Sequence, residues 1–470
     1  MATQERTRIA VIGGGPGGYV AALRAAQLGA EVTLIEKGAL GGTCLNVGCI
    51  PTKALLHTAA VYAEAKAGAA CGVVAEVRLD FARAQARKAG IVKTLVTGIG
   101  GLLAAAKVTV VKGTAAFDGP LGLRIETANG SEAKSFDRII IAAGSVPLVP
   151  PIPGIDAAPC IDSTGALDLA AVPRSLVIIG GGVIGMEIAT LYATLGAEVQ
   201  VVEMLDRILP TMDGELAGIV AAALRRKGVA VETGAKVVGI AEKGGLGVVA
   251  VETKGGRKEF TGEKVLVAIG RKADTARLGL DAVGLKHDRG RIAVNDRMET
   301  SLPGVYAIGD CNGTIMLAHV ASAQGEIAAE NAMGRRAAFS ATTCPSCVYT
   351  SPEFAGVGLT EEQADQKGIP CVVGRFPLAA NGKALIMDGG DGMVKVIVGK
   401  AYKEILGVHI VGPRATDLIA EAALAVGLEA TAEAVAEVIH AHPTVAEAFR
   451  EAVLAADGRA LHIPNRKGPR

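Results

Sequence analysis

One supersecondary unit occurs twice in this chain, and that duplication constrains the fold more than any other feature. An apolar run, Arg8 to Ile12, leads into Gly13-Gly14-Gly15-Pro16-Gly17-Gly18. A helical stretch, Tyr19 to Leu28, stops at Gly29, and a second apolar run, Glu31 to Ile35, ends on Glu36. The pattern returns as Ser175 to Ile179, Gly180-Gly181-Gly182-Val183-Ile184-Gly185, Met186 to Leu195 with Gly196 as the stop, and Glu198 to Val202 closed by Glu203. In a chain with 62 glycines an isolated G-x-G-x-x-G arises by accident. A strand before the loop, a helix after it and an acidic residue about 20 positions on turn it into a dinucleotide-binding fingerprint. The first glycine (Gly13, Gly180) permits the tight turn. The second (Gly15, Gly182) lets the backbone approach a pyrophosphate, and the third (Gly18, Gly185) lets helix pack on strand. The anion rests on the helix N-terminus, where free N–H groups and the dipole favour it. Glu36 and Glu203 suit hydrogen bonding to a ribose diol. A carboxylate there repels a 2′-phosphate, so Glu203 favours NAD over NADP. The competing reading is a pair of plain glycine turns with solvated strand ends.

Between the copies, Ile139 to Ser145 reads as a strand entering a turn at Gly144, and the proline-rich stretch 146–153 as a linker. Val265 to Gly270 and Val305 to Asp310 are further apolar strands ending in turns. After Gly334 the texture changes. Val348 to Val357, Cys371 to Phe376, Met393 to Val398 and Ile405 to Val411 read as antiparallel strands. Ala415 to Leu428, Thr431 to Ile439 and Val445 to Ala456 read as helices. A length of 470 residues suggests about three domains. The expected fold class is α/β, with two Rossmann-like dinucleotide-binding domains plus a C-terminal α+β domain. The breaks fall at 1–148, 149–273, 274–343 and 344–470.

A formal net charge of +1, no lysine/arginine cluster and an absence of tryptophan argue against nucleic acid as a partner. No run of about 18 uninterrupted apolar residues suggests a membrane span. The polar opening, Met1 to Arg8, has no signal-peptide core, so a cytoplasmic location is expected. In such a setting eight cysteines do not make a structural disulfide framework, and close pairs read as redox-active or metal-binding.

Cys44-Leu45-Asn46-Val47-Gly48-Cys49 is the sharpest such pair. Two cysteines at i and i+5 can bridge if one helical turn lies between them. A strained or exposed disulfide is reducible. Two packed thiols or half a metal site are the alternatives, and no second pair of suitable context completes a zinc site, so metal is not expected. Cys344-Pro345-Ser346-Cys347 has the C-x-x-C spacing but precedes a strand at an apparent domain junction, and two packed thiols are the favoured reading there.

Gly41 to Leu56, "GGTCLNVGCIPTKALL", resembles the active-site segment of the pyridine nucleotide–disulfide oxidoreductases, and within them the dihydrolipoamide dehydrogenases. The resemblance runs along essentially the whole chain through "GGGVIGMEIA", "VLVAIGRKADT", "VYAIGDC", "LAHVASAQGE" and "HAHPTVAEAF". It implies FAD on the first domain with Gly13, Gly15, Gly18, Glu36, Thr43, Lys53, Gly144, Asp310, Ala318 and His319. It implies NAD on the second with Gly180, Gly182, Gly185, Glu187, Glu203 and Gly270. Residues 274–343 would complete the FAD site, and 344–470 would form the dimerisation domain of a homodimer. Cys44 would be the interchange thiol and Cys49 the charge-transfer thiol beside the flavin. Lys53 would lie near the flavin with Glu187 as its ion-pair partner, and Asp310 would bond the ribitol. His442 would be the catalytic base, oriented by Glu447, and His442 of one subunit would complete the site of the other. Ala143, Val320 and Thr52 depart from residues common at these positions in the family.

The implied function is oxidation of a lipoyl-bearing protein's dihydrolipoamide, as a component of 2-oxoacid dehydrogenase or glycine cleavage complexes. A histidine suits the base because its ordinary pKa lies near 6.5, and a carboxylate on one ring nitrogen fixes the tautomer. Alone, His442-Pro443-Thr444 reads as a helix start capped by Thr444. Among related activities, Glu203 disfavours an NADPH-dependent glutathione reductase, and the cysteine-free stretch 464–470 disfavours a mercuric reductase. A structural subunit without catalysis is the alternative of a different class.

Overall fold

The computed structural model describes residues 6–465. Most of the polar opening and the last five residues of the cysteine-free tail lie outside the described residues. Each glycine-loop unit nucleates a five-stranded parallel sheet. The first has the order Val305–Ala307, Arg138–Ile141, Arg8–Ile12, Glu31–Glu36, Thr109–Lys112. The second runs Ala230–Glu232, Glu198–Val202, Ser175–Ile179, Lys264–Val267, Cys160–Ile161. The central strands are buried on both faces, which is why they are unbroken Val/Ile/Leu runs without alternation. In both sheets the nucleotide-loop strand is central, so its loop opens at the sheet's carboxyl edge, where ligands of such sheets bind. The strand Val305–Ala307 returns the chain to the first sheet after it has built the second.

The C-terminal unit is a five-stranded antiparallel sheet, Ser346–Val348, Glu353–Gly358, Ile405–Gly412, Met393–Gly399, Cys371–Pro377. The helices Ala415–Gly427 and Glu447–Ala456 pack against it. Its residues Val348, Phe354 and Val411 share one core cluster with Met186, Tyr192 and Leu216 of the second nucleotide unit.

Two expectations change. The run Val348 to Val357 is two strands, because Tyr349 to Pro352 leaves the ladder and proline has no N–H to give it. The stretch 146–153 is not all linker: Ser145–Pro147 pairs with Arg271–Ala273. Among the described residues one helix, Phe81–Ala105, is long and apolar enough to cross a membrane by length and composition. Its isoleucines, leucines, valines and alanines keep hydropathy high although Arg83, Arg87, Lys88 and Lys93 break every long apolar run, and it lies along the helix Cys49–Ala67.

Candidate active site

The two glycine loops are built alike. Gly13 (φ 104°) and Gly180 (φ 112°) take the left-handed conformation, and a Cβ on either would meet a carbonyl oxygen, of Ala142 at 2.2 Å or Ala268 at 2.4 Å. Gly18 and Gly185 pack helix on strand so closely that a Cβ would sit 1.8 Å and 2.1 Å from the Gly13 and Gly180 oxygens. Gly182 instead faces open space. It caps the helix Val183–Thr194, as Gly15 caps Pro16–Gln27.

The acidic strand ends do more than the sequence suggests. Glu36 accepts from the Gly14 and Gly38 N–H groups, both at 2.6 Å, and Glu203 from Gly181 at 2.5 Å and Leu205 at 2.7 Å. Each carboxylate therefore braces its own glycine loop while presenting negative charge at the cavity wall.

That wall encloses a cavity of about 1620 Å³ that includes Gly13, Gly15 and Glu36 at one end and Gly180, Gly182 and Glu203 at the other. Gly18 and Gly185 lie behind it as packing positions. The volume exceeds the ~300–1,000 Å³ of a site for one drug-sized molecule. With two open helix N-termini and a glycine-lined backbone cradle, it fits two dinucleotides.

Cys44 and Cys49 line the same cavity. Cys44 belongs to the short helix Gly42–Val47, Cys49 opens the helix Cys49–Ala67, and Gly48 joins them. A side chain at Gly48 would press a Cβ to 2.8 Å from the Thr43 oxygen, so glycine is what lets the two short turns fold back on each other. Both cysteines are thiols here, hydrogen-bonded to one another. That bond splits the pair. The shared hydrogen bond with Cys49, then burial, pushes the Cys44 thiol up, whereas the bond received from Cys44, aided by Lys53, pulls Cys49 down. Negative charge therefore settles on Cys49.

Lys53 lies one helical turn beyond Cys49. Its Nζ is 2.7 Å from Glu187 Oε2, a carboxylate only 4% exposed on the helix of the second nucleotide unit. The other oxygen of Glu187 accepts from the Tyr349 N–H at 3.0 Å, and Lys53 Nζ stands 4.4 Å from the centre of the Tyr349 ring. One cation thus joins the thiol helix, the second nucleotide unit and the C-terminal unit.

Elsewhere along the cavity Asp310 accepts from Ser145 Oγ, which accepts from Arg271 Nε at 2.7 Å. Arg271 Nη2 also donates to the Ser145 oxygen at 2.6 Å and stands 3.5 Å from Thr43 Oγ1. Sequence reasoning missed Arg271, Ser145 and Tyr349. Arg271 directly follows Gly270 in the quoted "AIGRKADT" stretch, which was the available signal. Gly144, Gly270, Ala318 and His319 all line the cavity. His319 Nε2 is 2.9 Å from the Pro345 oxygen and 3.6 Å from Cys344 Sγ. Cys347 also lines the cavity, but burial pushes its thiol up to about 11 and Cys344 upward too, as suits packed thiols. Among the described residues no group of three or more His, Cys, Asp or Glu is arranged to hold a metal ion.

His442 and Glu447 stand apart from this wall. His442 Nδ1 is 3.0 Å from Glu447 Oε1, and Glu447 Oε2 accepts from the Thr444 N–H at 2.9 Å. Burial works the other way, yet the bonds from Thr444 and His442 hold the Glu447 carboxyl below its ordinary range. Thr444 does not cap the following helix, which begins at Glu447. The His442 side chain is 80% exposed, and neither residue lines the cavity. The folded chain therefore pairs the two residues with each other but does not bring them to its own thiol pair.

Residues 7–325 match the family model described as pyridine nucleotide-disulphide oxidoreductase, and residues 344–453 match that family's dimerisation domain. The dihydrolipoyl dehydrogenase of Thermus scotoductus is 45% identical, with 97% of this chain and 98% of that protein covered. That of Geobacillus stearothermophilus is 44% identical, with 97% of each covered. Among solved structures, LpdA from Mycobacterium tuberculosis superposes with a TM-score of 0.89 at 28% identity, covering 95% of this chain and 99% of the other. The HOCl-induced flavoprotein disulfide reductase RclA from Escherichia coli does so with 0.84 at 30% identity, covering 95% and 99%.

Proposed function

Because the chain belongs to the pyridine nucleotide-disulphide oxidoreductase family, we propose that it acts as a dihydrolipoyl dehydrogenase, oxidising protein-bound dihydrolipoamide to lipoamide with FAD and NAD⁺. The observation that carries this reading is one cavity running past both glycine loops and the Cys44/Cys49 pair. Glu203 supports NAD over NADP, since a carboxylate on the cavity wall at the end of the second nucleotide strand would repel a 2′-phosphate.

In this reading the working pair begins as a disulfide. His442 accepts a proton from one substrate thiol while Glu447 holds the ring and balances its charge. The substrate thiolate attacks Cys44 Sγ. The Cys44–Cys49 bond breaks, a mixed disulfide forms, and Cys49 leaves as a thiolate stabilised by Lys53. The second substrate thiol attacks the substrate sulfur of the mixed disulfide. Lipoamide departs, and Cys44 leaves as a thiol carrying the proton of that second substrate thiol, while His442 keeps the proton of the first. Bound FAD supplies the acceptor for the electron pair and NAD⁺ its exit. Glu36, Thr43, Asp310, Ala318 and His319 hold the flavin side, and Gly182, Glu203 and Gly270 the nicotinamide nucleotide side.

The exposed His442–Glu447 pair lies on the dimerisation domain, which implies a homodimer. His442 of the partner subunit would then reach the cavity that its own chain leaves without a base. The lipoyl-bearing substrate belongs, in this reading, to a 2-oxoacid dehydrogenase or glycine cleavage complex in the cytoplasm.

The test is initial-rate reduction of NAD⁺ and NADP⁺ by dihydrolipoamide, with wild type and Cys44→Ser. The expected result is a preference for NAD⁺ of at least about 10-fold in kcat/KM, equivalent to ~1.4 kcal/mol, and loss of turnover in the variant. Preference for NADP⁺, or full turnover by Cys44→Ser, would overturn the reading.

A further inference from the structure

We infer that His440 is a positioning residue for His442, clamping the exposed arm that carries it to the wall of the chain's own cavity. The inference rests on His442 being the base. The chain leaves the helix Ala432–Glu437 at Val438 and enters the next at Glu447. Along this arm Val438 is 52% exposed, Ile439 96% and the His442 side chain 80%. His440, between them, is the reverse: its side chain is 5% exposed. A surface arm with one buried histidine is pinned there.

The pin is specific. His440 Nε2 lies 2.8 Å from Glu421 Oε1, and its Nδ1 lies 3.1 Å from the Val438 oxygen. Both ring nitrogens face acceptors, so in either tautomer one of them donates. Glu421 sits on the helix Ala415–Gly427, and the same helix lines the cavity with Thr416, Ile419 and Ala420. The arm is thus tied to an element that shapes the reaction cavity.

A second anchor lies on the other side of His442. Thr444 donates its N–H to Glu447 and its hydroxyl to the Ala441 oxygen at 2.7 Å, and its own oxygen accepts from Asn381 Nδ2 at 3.0 Å. With both anchors the base is fixed from two directions. With the Glu447 side alone, the segment 438–441 is free to swing and carry the imidazole with it. Misplacement of a reacting group by about 1 Å costs about 100-fold in rate.

The experiment uses the full-length, FAD-loaded protein. Dihydrolipoamide–NAD⁺ turnover is measured for His440→Ala, Glu421→Ala, Glu421→Gln, His442→Ala and the double variant His440→Ala/His442→Ala. His440→Ala and Glu421→Ala should lower kcat about 10- to 100-fold with KM for dihydrolipoamide within about twofold. Glu421→Gln, which keeps an amide oxygen facing Nε2, should recover most of the rate. The double variant should match His442→Ala alone, because a clamp with nothing to hold contributes nothing. A His440→Ala rate within twofold of wild type overturns the inference. So does an equal further drop when His440→Ala is added to His442→Ala, since that marks general damage to the fold. If His442→Ala itself turns over at the wild-type rate, the assignment of the base falls, and the clamp with it. Should His440→Ala fail to fold, His440→Asn carries the same comparison.

Discussion

At the scale of single residues, the chemistry turns on which of two sulfurs carries the charge. The bond from Cys44 favours charge on Cys49, and Lys53, fixed by Glu187, stabilises a thiolate there further. A thiol whose ionisation is pulled down is charged above its midpoint, so thiolate accumulates as pH rises and does so earlier than for a free cysteine. Titrating thiolate absorbance in the reduced protein should give a first midpoint below the ~8.5 of free cysteine. Lys53→Met should move it upward, and an unchanged midpoint would show that Lys53 does not act on Cys49. The thiol pair, Lys53 and Glu187 were legible because they sit in long, specific motifs. The Arg271–Ser145–Asp310 chain was not, because a hydrogen bond between residues 126 positions apart leaves no local pattern in either segment.

At the scale of elements, the glycine loops and the strands they follow were readable almost to the residue. Their apolar runs are buried on both faces and their turns demand glycine. The same physics hid the helix Phe81–Ala105. Gly90, Gly98, Gly100 and Gly101 weaken its helix propensity, at about 1 kcal/mol each relative to alanine. Packing, not local preference, therefore decides its form. The two antiparallel three-stranded sheets at 114–135 and 236–262 were missed for another reason: exposed edge strands such as Gly130–Ser135 and Gly256–Gly262 carry little apolar alternation to reveal them. The third glycine of each loop makes a sharp prediction. Gly18→Ala places a Cβ 1.8 Å from the Gly13 oxygen and should cost FAD, read as lost yellow colour in the purified protein. Gly185→Ala makes the equivalent clash in the second unit. It should raise KM for NAD⁺ while FAD content stays near one per chain. Retention of both nucleotides at wild-type affinity in both variants would contradict the loop assignment.

At the scale of the whole molecule, two junctions hold the parts in register. One is ionic: Lys395, 2% exposed on the C-terminal sheet, pairs with Asp213 at 2.9 Å, Glu215 at 2.9 Å and Glu361 at 2.7 Å. Arg375 still pairs with Glu215 and Glu361 when Lys395 is gone, but the fully buried Asp213 loses its cation, so Lys395→Met should destabilise the fold by about 3–5 kcal/mol in denaturant unfolding. A change below 1 kcal/mol would mean water already screens the cluster. The other junction is between subunits, and no single sequence displays it. The resemblance implied that His442 serves the other subunit's site, and in the folded chain His442 and Glu447 stand apart from the cavity that holds its own thiol pair. The most direct measurement of the central claim is therefore complementation between two inactive proteins, Cys44→Ser and His442→Gln. After co-refolding, half the dimers are mixed, and each mixed dimer holds one site with both Cys44 and His442 intact if the site spans two subunits. Dihydrolipoamide-dependent NADH formation should rise from near zero to about one quarter of the wild-type rate. Mixed dimers that stay as inactive as their parents would contradict a site shared between subunits.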